Sequence, residues 1–351
     1  MRRTIKFSVF IIFMFAPLVW AQDDSISVLF MGNSHTYYNN LPTLFSNLSA
    51  SGGKVVTTDM SAPGGYTLEQ HTTNETTLQK ISQGGWDYVV LQEQSEYPVI
   101  EYYRFNSMYP AAHHLDSLIA QVGARTVLYM TWGWRNGGIH TINGHSSPEF
   151  VDYFHMQDSV SAAYRMLTTE LGSILSPAGE AWATARHQDT TINFWQPDTY
   201  HPTLEGSYLA ACVFYNVLFD ESPIGLRYNP GLDDSVMAFL QRAADQTVSG
   251  ISDDHSQSPF NFTLLGNYPN PFNSSTTIAF SLDSDLRLSM AIYDILGRQV
   301  VSMAEKEYSA GYHTISWDGK SDNGLAVSSG RYFIVARCDN RQKMLPITLL
   351  K

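Results

Sequence analysis

The sequence predicts an α/β unit built on a parallel sheet, followed by a small β-sandwich. Three observations carry this. Short, continuously apolar runs (Val28-Leu29-Phe30-Met31, Tyr88-Val89-Val90-Leu91, Val127-Leu128-Tyr129-Met130) recur between helix-spaced stretches in the first two thirds of the chain, as buried parallel strands do. From residue 262 the pattern becomes β-type runs separated by Gly, Asn, Asp and Pro turns. Between them, residues 251–261 are rich in Ser, Asp and Gln and read as a linker. A chain of 351 residues has room for two domains, and 44% apolar with 15% charged residues describes a globular protein with a sizeable core.

Residues 1–21 read as a signal peptide. Arg2, Arg3 and Lys6 form a positive start, Phe7 to Trp20 an apolar stretch, and Val19-Trp20-Ala21 ends in a small residue suited to cleavage. The stretch is short for a membrane span and no stop-transfer segment follows. Cleavage after Ala21 and export are expected, with no stable membrane span after processing; an uncleaved anchor is the alternative. Removing the leader's three positive charges takes the net charge from −12 to −15. Residues 262–351 carry nine Lys/Arg and eight Asp/Glu, so −16 falls on residues 22–261. That balance argues against nucleic acid or anionic lipid as a partner. The two cysteines, Cys212 and Cys338, fall in the two predicted domains and are expected as small buried side chains rather than a disulfide. No Cys/His spacing resembles a zinc site.

The first strand, Ser27 to Met31, breaks at Gly32-Asn33-Ser34, and apolar residues at helical spacing follow in Leu41-Pro42-Thr43-Leu44-Phe45-Ser46-Asn47-Leu48. A serine on a sharp strand-to-helix turn suits a nucleophile, because its own N–H faces developing negative charge. The plainer reading is a helix cap. Lys54 to Thr58 is a second strand, running into Ser61-Ala62-Pro63-Gly64-Gly65-Tyr66-Thr67. The paired glycines either relieve a positive φ or bring a backbone N–H to a substrate oxygen. The third strand, Trp86 to Leu91, ends in Gln92-Glu93-Gln94-Ser95 at the carboxyl edge of the sheet, where open α/β sheets bind ligands. Helices are expected over 108–121 and 150–175. A fourth strand, Thr126 to Trp132, leads to Gly133-Trp134-Arg135. Gln92, Trp132, Trp134 and Arg135 are candidate substrate contacts, by stacking on a sugar or holding a polar group; rim packing explains the last three equally well. Glu180, after a further strand, either lines the site or fixes a loop. Asp198 and His201 stand three apart just before an apolar helix, Ser207 to Phe219, an arrangement that serves either as base and orienter or as a structural histidine beside a capping Thr203. His35 adjoins the serine; His71, His113, His114, His140, His145 and His155 read as surface or structural.

Together these blocks resemble the SGNH (GDSL-type) hydrolase family. Gly32-Asn33-Ser34-His35 matches its first block, with Asn33 in place of the commoner Asp, and Asp198-Thr199-Tyr200-His201 its last. Gly65 best matches the glycine block, though Gly64 also fits. The third block departs: most relatives have Gly-x-Asn-Asp, and Gln94 falls at the asparagine position. The phrase Val89 to Ser95 resembles a bacterial subgroup of the family. The resemblance covers residues 26 to about 225. It implies a three-layer α/β/α fold over residues 22–250, with Ser34 as nucleophile, His201 as base, Asp198 as orienter and an oxyanion hole from Ser34, Gly65 and Gln94. The implied reaction is ester hydrolysis without metal or cofactor, on a small-molecule or polysaccharide ester, with deacylation of O-acetylated carbohydrate preferred. A lipase or thioesterase is the same-fold alternative, and a surface carbohydrate-binding protein on a degenerate hydrolase fold the other.

In the tail, Asn267-Tyr268-Pro269-Asn270-Pro271-Phe272-Asn273, Tyr293-Asp294-Ile295-Leu296-Gly297-Arg298, Trp317-Asp318-Gly319 and Ser329-Gly330-Arg331-Tyr332 resemble the C-terminal sorting domain of the type IX secretion pathway of Bacteroidetes and relatives. The resemblance covers nearly all of residues 262–351, read as a small immunoglobulin-like sandwich. It implies that this domain meets the secretion machinery and that the protein is secreted or held at the cell surface. An ordinary spacer or carbohydrate-binding module is the alternative.

Overall fold

The computed structural model describes residues 25–257, 262–282, 285–295, 297–338 and 341–351. The expected signal peptide, residues 1–21, lies outside them, as do residues 258–261 of the expected linker. No helix among the described residues is long and apolar enough to cross a membrane.

The first unit is a five-stranded parallel sheet. Its strands are β1 (Ser25–Met31), β2 (Val55–Ser61), β3 (Tyr88–Leu91), β4 (Arg125–Tyr129) and β5 (Ile174–Ser176), in the order β2-β1-β3-β4-β5. Strand β1 shows why three layers form. Successive side chains point to opposite faces, and both faces of β1 are apolar. Val28 and Phe30 enter one core cluster, Leu29 and Met31 another. The first cluster is closed by α1 (Leu41–Ser51), α5 (Ala178–Gln188), α6 (Leu204–Phe219) and α7 (Asp234–Gln257). The second is closed by α2 (Glu75–Gln83), α3 (Tyr109–Gln121) and α4 (Tyr153–Leu171).

Helix α4 has 19 residues, shorter than the expected 150–175. Asp152 caps its start by accepting from the His155 N–H, and Gly172 ends it in the left-handed region at φ 62°. The chain is thereby freed to enter β5. Helix α6 begins three residues before the expected Ser207, with Thr203 as its cap. Helix α7 runs to Gln257, so much of the stretch read as linker is helical.

The second unit has seven strands: β6 (Phe262–Tyr268), β7 (Thr276–Leu282), β8 (Leu286–Asp294), β9 (Gln299–Tyr308), β10 (Gly311–Trp317), β11 (Gly330–Cys338) and β12 (Arg341–Leu349). They form two antiparallel sheets, β9-β8-β11-β12 and β10-β7-β6. The inward residues of both, Ile278, Phe280, Ile292, Ile334 and Ile347 among them, are fully buried, as a sandwich requires.

Candidate active site

Ser34, His201 and Asp198 meet at the carboxyl edge of the parallel sheet. Ser34 opens a single helical turn, Ser34–Tyr37, immediately after β1. Its Oγ lies 2.8 Å from His201 Nε2, across 167 residues of sequence. His201 Nδ1 lies 2.7 Å from Asp198 Oδ2. The other carboxylate oxygen, Oδ1, accepts from the N–H groups of Tyr200 (3.1 Å) and His201 (3.0 Å). Burial raises the Asp198 pKa, but these backbone donors and the imidazole outweigh it, and the carboxyl sits below its ordinary value. The imidazole is also held by its faces: Tyr38 stacks on it at 4.2 Å and 7°, and Tyr200 lies against it at 4.1 Å.

The serine turn is tied to β3 by a buried amide. Gln92 Oε1 accepts from the Asn33 N–H (2.9 Å) and from Thr36 Oγ1 (2.9 Å), and its Nε2 donates to Asn33 Oδ1 (3.0 Å). Asn33 spends its own donor on the Tyr66 carbonyl at 2.8 Å, joining the glycine loop to the serine turn. Gly32 is required here: a Cβ at this position would overlap Gln92 Oε1 and Thr36 Oγ1. His71, buried, bridges Thr77 Oγ1 and the Gly32 carbonyl, each at 2.8 Å.

Two residues of the cavity wall carry backbone donors that the protein leaves unengaged. The N–H groups of Ser34 and Gly65 have no hydrogen-bond partner among the described residues, and both residues line a cavity of about 350 Å3. Gly65, at φ 71°, lies in the left-handed region that favours glycine. Gln94 lines the same cavity. Its Nε2 donates to Glu96 Oε2 (3.0 Å), and its Oε1 accepts from the Glu96 and Tyr97 N–H groups. One hydrogen of that amide is therefore committed within the loop and the other is left for a ligand.

The remaining candidates separate. Trp134 lines the cavity, stacked on Tyr200 at 4.7 Å. Gln92 and Trp132 do not: both are buried, and the expectation that they touch substrate is corrected. Gln92 positions the serine turn. Trp132 stacks on Trp182 at 3.7 Å and donates from Nε1 to the Tyr200 carbonyl, bracing the Asp198–His201 loop. Arg135 lies at the surface. Its side chain is exposed and not part of the cavity wall, and its N–H donates to the Thr199 carbonyl at 3.0 Å. Glu180 pairs with Arg165 through two bonds of 2.8 and 2.7 Å, fixing α5 to α4. His35 is buried, with its pKa pulled down to about 3 chiefly by burial and then by His201, so it stays neutral beside His201.

Sequence reasoning missed Tyr38 and Tyr200 as the clamp on the imidazole. It also missed Glu93, whose Oε1 accepts from the N–H groups of Leu68 (3.1 Å) and Gln94 (2.7 Å) and so joins two walls of the cavity. Glu93 is fully buried, and burial pushes its pKa up to about 8 against the pull of those two donors. Between the ordinary carboxyl value of 4.5 and about 8, the unfolded chain is ionised at this position while the folded one keeps its proton. Rising pH therefore favours unfolding across that window. Glu93→Gln keeps the accepting carbonyl and removes the titration. In thermal melts, wild type is expected to lose stability relative to Glu93→Gln from pH 5 to 8, and no further above it; parallel melting curves would contradict this.

The FlgD Ig-like domain family matches residues 268–342. None of the curated proteins matches the chain by sequence. Among solved structures, a DUF4886 family protein from Bacteroides uniformis is similar at TM-score 0.53 and 20% identity, over 64% of this chain and 95% of that one. A protein from Slackia heliotrinireducens described as an SGNH hydrolase follows at TM-score 0.46 and 22% identity, over 55% and 99%. An acetyl-xylooligosaccharide esterase from Geobacillus Stearmophilus gives TM-score 0.38 and 15% identity, over 58% and 97%. At such identities the Bacteroides uniformis likeness is one of fold. The chain thus joins an α/β fold with a parallel sheet, shared with the Bacteroides uniformis protein, to an immunoglobulin-like β-sandwich.

Proposed function

We propose that this chain is an exported serine esterase that removes short acyl groups, acetyl foremost, from carbohydrate. The observation that carries the reading is the continuous relay Ser34–His201–Asp198, at 2.8 and 2.7 Å, opening on a cavity beside two unengaged N–H groups. A serine beside a base, itself beside an orienting carboxylate, is the arrangement that activates an oxygen nucleophile. Ser34 Oγ attacks the ester carbonyl carbon as its proton passes to His201 Nε2. The bond to the alcohol oxygen then breaks, and the alcohol leaves with that proton. Water attacks the acyl-serine, gives a proton to His201, and the acid departs as Ser34 is restored. In both tetrahedral stages the oxyanion takes hydrogen bonds from the Ser34 and Gly65 N–H groups and the second hydrogen of Gln94 Nε2. One such donor contributes about 3 kcal/mol.

The cavity supports a short acyl group: at about 350 Å3 with Asn33, Gln94, Ser95 and Glu96 in its wall, it offers no long apolar channel. That favours the esterase over a lipase. The relay favours an enzyme over a binding protein, since sugar binding needs no histidine aligned between serine and carboxylate. Residues 262–351 are proposed to be a type IX sorting tail behind a Sec leader, on the strength of the four phrases matched in sequence. Deleting them is expected to keep the protein inside the outer membrane; unchanged surface export would remove that part of the proposal. For the chemistry, a fluorophosphonate probe is expected to label Ser34, as mapped by mass spectrometry. p-Nitrophenyl acetate is expected to be hydrolysed with higher kcat/KM than the octanoate. Absent labelling together with absent turnover would refute the esterase, and a preference for octanoate would mark a lipase.

A further inference from the structure

The cavity in front of Ser34 does not end at its own wall. Gly65 and Gln94 also line a second, larger cleft of about 680 Å3 that continues away from the serine. Its other walls come from Thr67, Gln70, Thr73 and Tyr97. We propose that this cleft is a second subsite, which holds further neutral sugar units of an oligosaccharide whose ester group sits at Ser34. The proposal rests on the hydrolase reading and adds to it the size and charge of the substrate.

Three features of the cleft select that ligand. Its lining is polar without being cationic: hydroxyls, two amides and the Glu69 carboxylate, with no lysine or arginine in either cavity. Several of these polar groups are already engaged on one side. Thr67 and Gln70 form a reciprocal cap on the turn Leu68–His71, and Thr73 Oγ1 donates to the Gln70 carbonyl. Their remaining lone pairs suit a ligand that donates hydrogen bonds, as sugar hydroxyls do. With Glu96 in the first cavity and Glu69 in the second, an anionic chain would be repelled. A fatty acyl chain would find polar walls where it needs apolar ones.

An aromatic run then leads outward. Tyr97 stacks on Tyr103 at 4.4 Å, Tyr103 meets Tyr102 edge-on at 5.2 Å, and Tyr102 stacks on His145 at 3.6 Å. Tyr102 is 45% exposed. Rigid rings with an apolar face and a polar tip suit a ligand whose units each present an apolar face and a rim of hydroxyls. Ile142, which pairs with His145 in the hairpin Thr141–Ser146, also lines the cleft.

The test compares kcat/KM of the full chain on acetylated methyl xyloside, acetylated xylotetraose and acetylated oligogalacturonate. The tetramer is expected to exceed the monomer by about tenfold or more, and the anionic chain to fall below both. Thr73→Trp and, independently, Ile142→Trp fill the cleft at two points of its lining and are expected to bring the tetramer-to-monomer ratio close to one. A wild-type ratio near one, a ratio unchanged in both variants, or a preference for the anionic chain would overturn the proposal. Should probe labelling of Ser34 and turnover of p-nitrophenyl acetate both be absent, the esterase reading fails by itself. The cleft is then read by calorimetry on Ser34→Ala with unacetylated xylose and xylotetraose. Tighter tetramer binding that both variants abolish supports the subsite, and no difference between the two sugars refutes it.

Discussion

Ser34→Ala is expected to lower ester turnover by about 10^6, His201→Ala by a similar factor, and the two together by no more than either alone. The reason is that Oγ and Nε2 act as one unit in the proposed reaction. The 2.8 Å contact is useful only while a proton is moving from one to the other. With either partner gone, the survivor has no reaction to serve, so the second loss costs nothing further. What remains in both single variants is the pair of N–H groups at Ser34 and Gly65. Those come from the backbone, and neither replacement removes them. The measurement is kcat for p-nitrophenyl acetate in the four-member cycle. Multiplicative losses would mean that serine and histidine contribute separately, which this geometry does not allow.

Asp198→Asn is expected to cost about 10^4 in kcat with little change in KM. The two carboxylate oxygens have different duties. Oδ1 accepts from two backbone N–H groups, of Tyr200 and His201, while Oδ2 faces His201 Nδ1. An asparagine must turn its single oxygen toward the two backbone donors, which places its NH2 against Nδ1. Nδ1 then has to be the acceptor, so the ring proton moves to Nε2 and points at Ser34. The base becomes a donor toward the group it should deprotonate, without any change in backbone shape. Asp198→Ala is expected to hurt less than Asp198→Asn, since it leaves the tautomer free. A smaller loss for Asn than for Ala would show that orientation, not tautomer, is the carboxylate's contribution.

Much of this was legible in the chain. Strand β1 declares both faces apolar in its own letters, and so implies layers on either side. Ser34, Asp198 and His201 stand at a strand end and before a helix, and the fold brings them together. In the sandwich the runs 276–280, 288–293, 313–317 and 331–336 read as strands from the sequence, and three observed strands do not: β6, β9 and β12. All three lie at sheet edges. Edge strands carry polar and charged residues that blunt pairing, and Glu305-Lys306-Glu307 in β9 and Arg341-Gln342-Lys343 in β12 erase the apolar run that marks a strand. At the site, Trp132 and Trp134 show the same limit on a smaller scale. Two tryptophans in one short loop suggest an aromatic rim, but only packing decides that Trp132 goes inward against Trp182 while Trp134 faces the cavity. Gln92 fails for a similar reason. A polar residue at the end of a strand reads as a ligand contact, yet its amide is wholly committed to protein partners.

That commitment bears on which substitutions the site can take. Asn33 and Gln92 share two hydrogen bonds, from the Asn33 N–H to Gln92 Oε1 and from Gln92 Nε2 to Asn33 Oδ1, and the Asn33 NH2 is fixed on the Tyr66 carbonyl. An aspartate at position 33, the commoner residue in the family the sequence resembles, would set a carboxylate oxygen against that carbonyl with no proton between them. Restoring the usual letter in isolation therefore opens a fault, and so does replacing Gln92 while Asn33 stays. Asn33→Asp alone and Gln92→Ala alone are each expected to lower the thermal midpoint, the first through the Tyr66 carbonyl and the second through the orphaned Asn33 N–H and Oδ1.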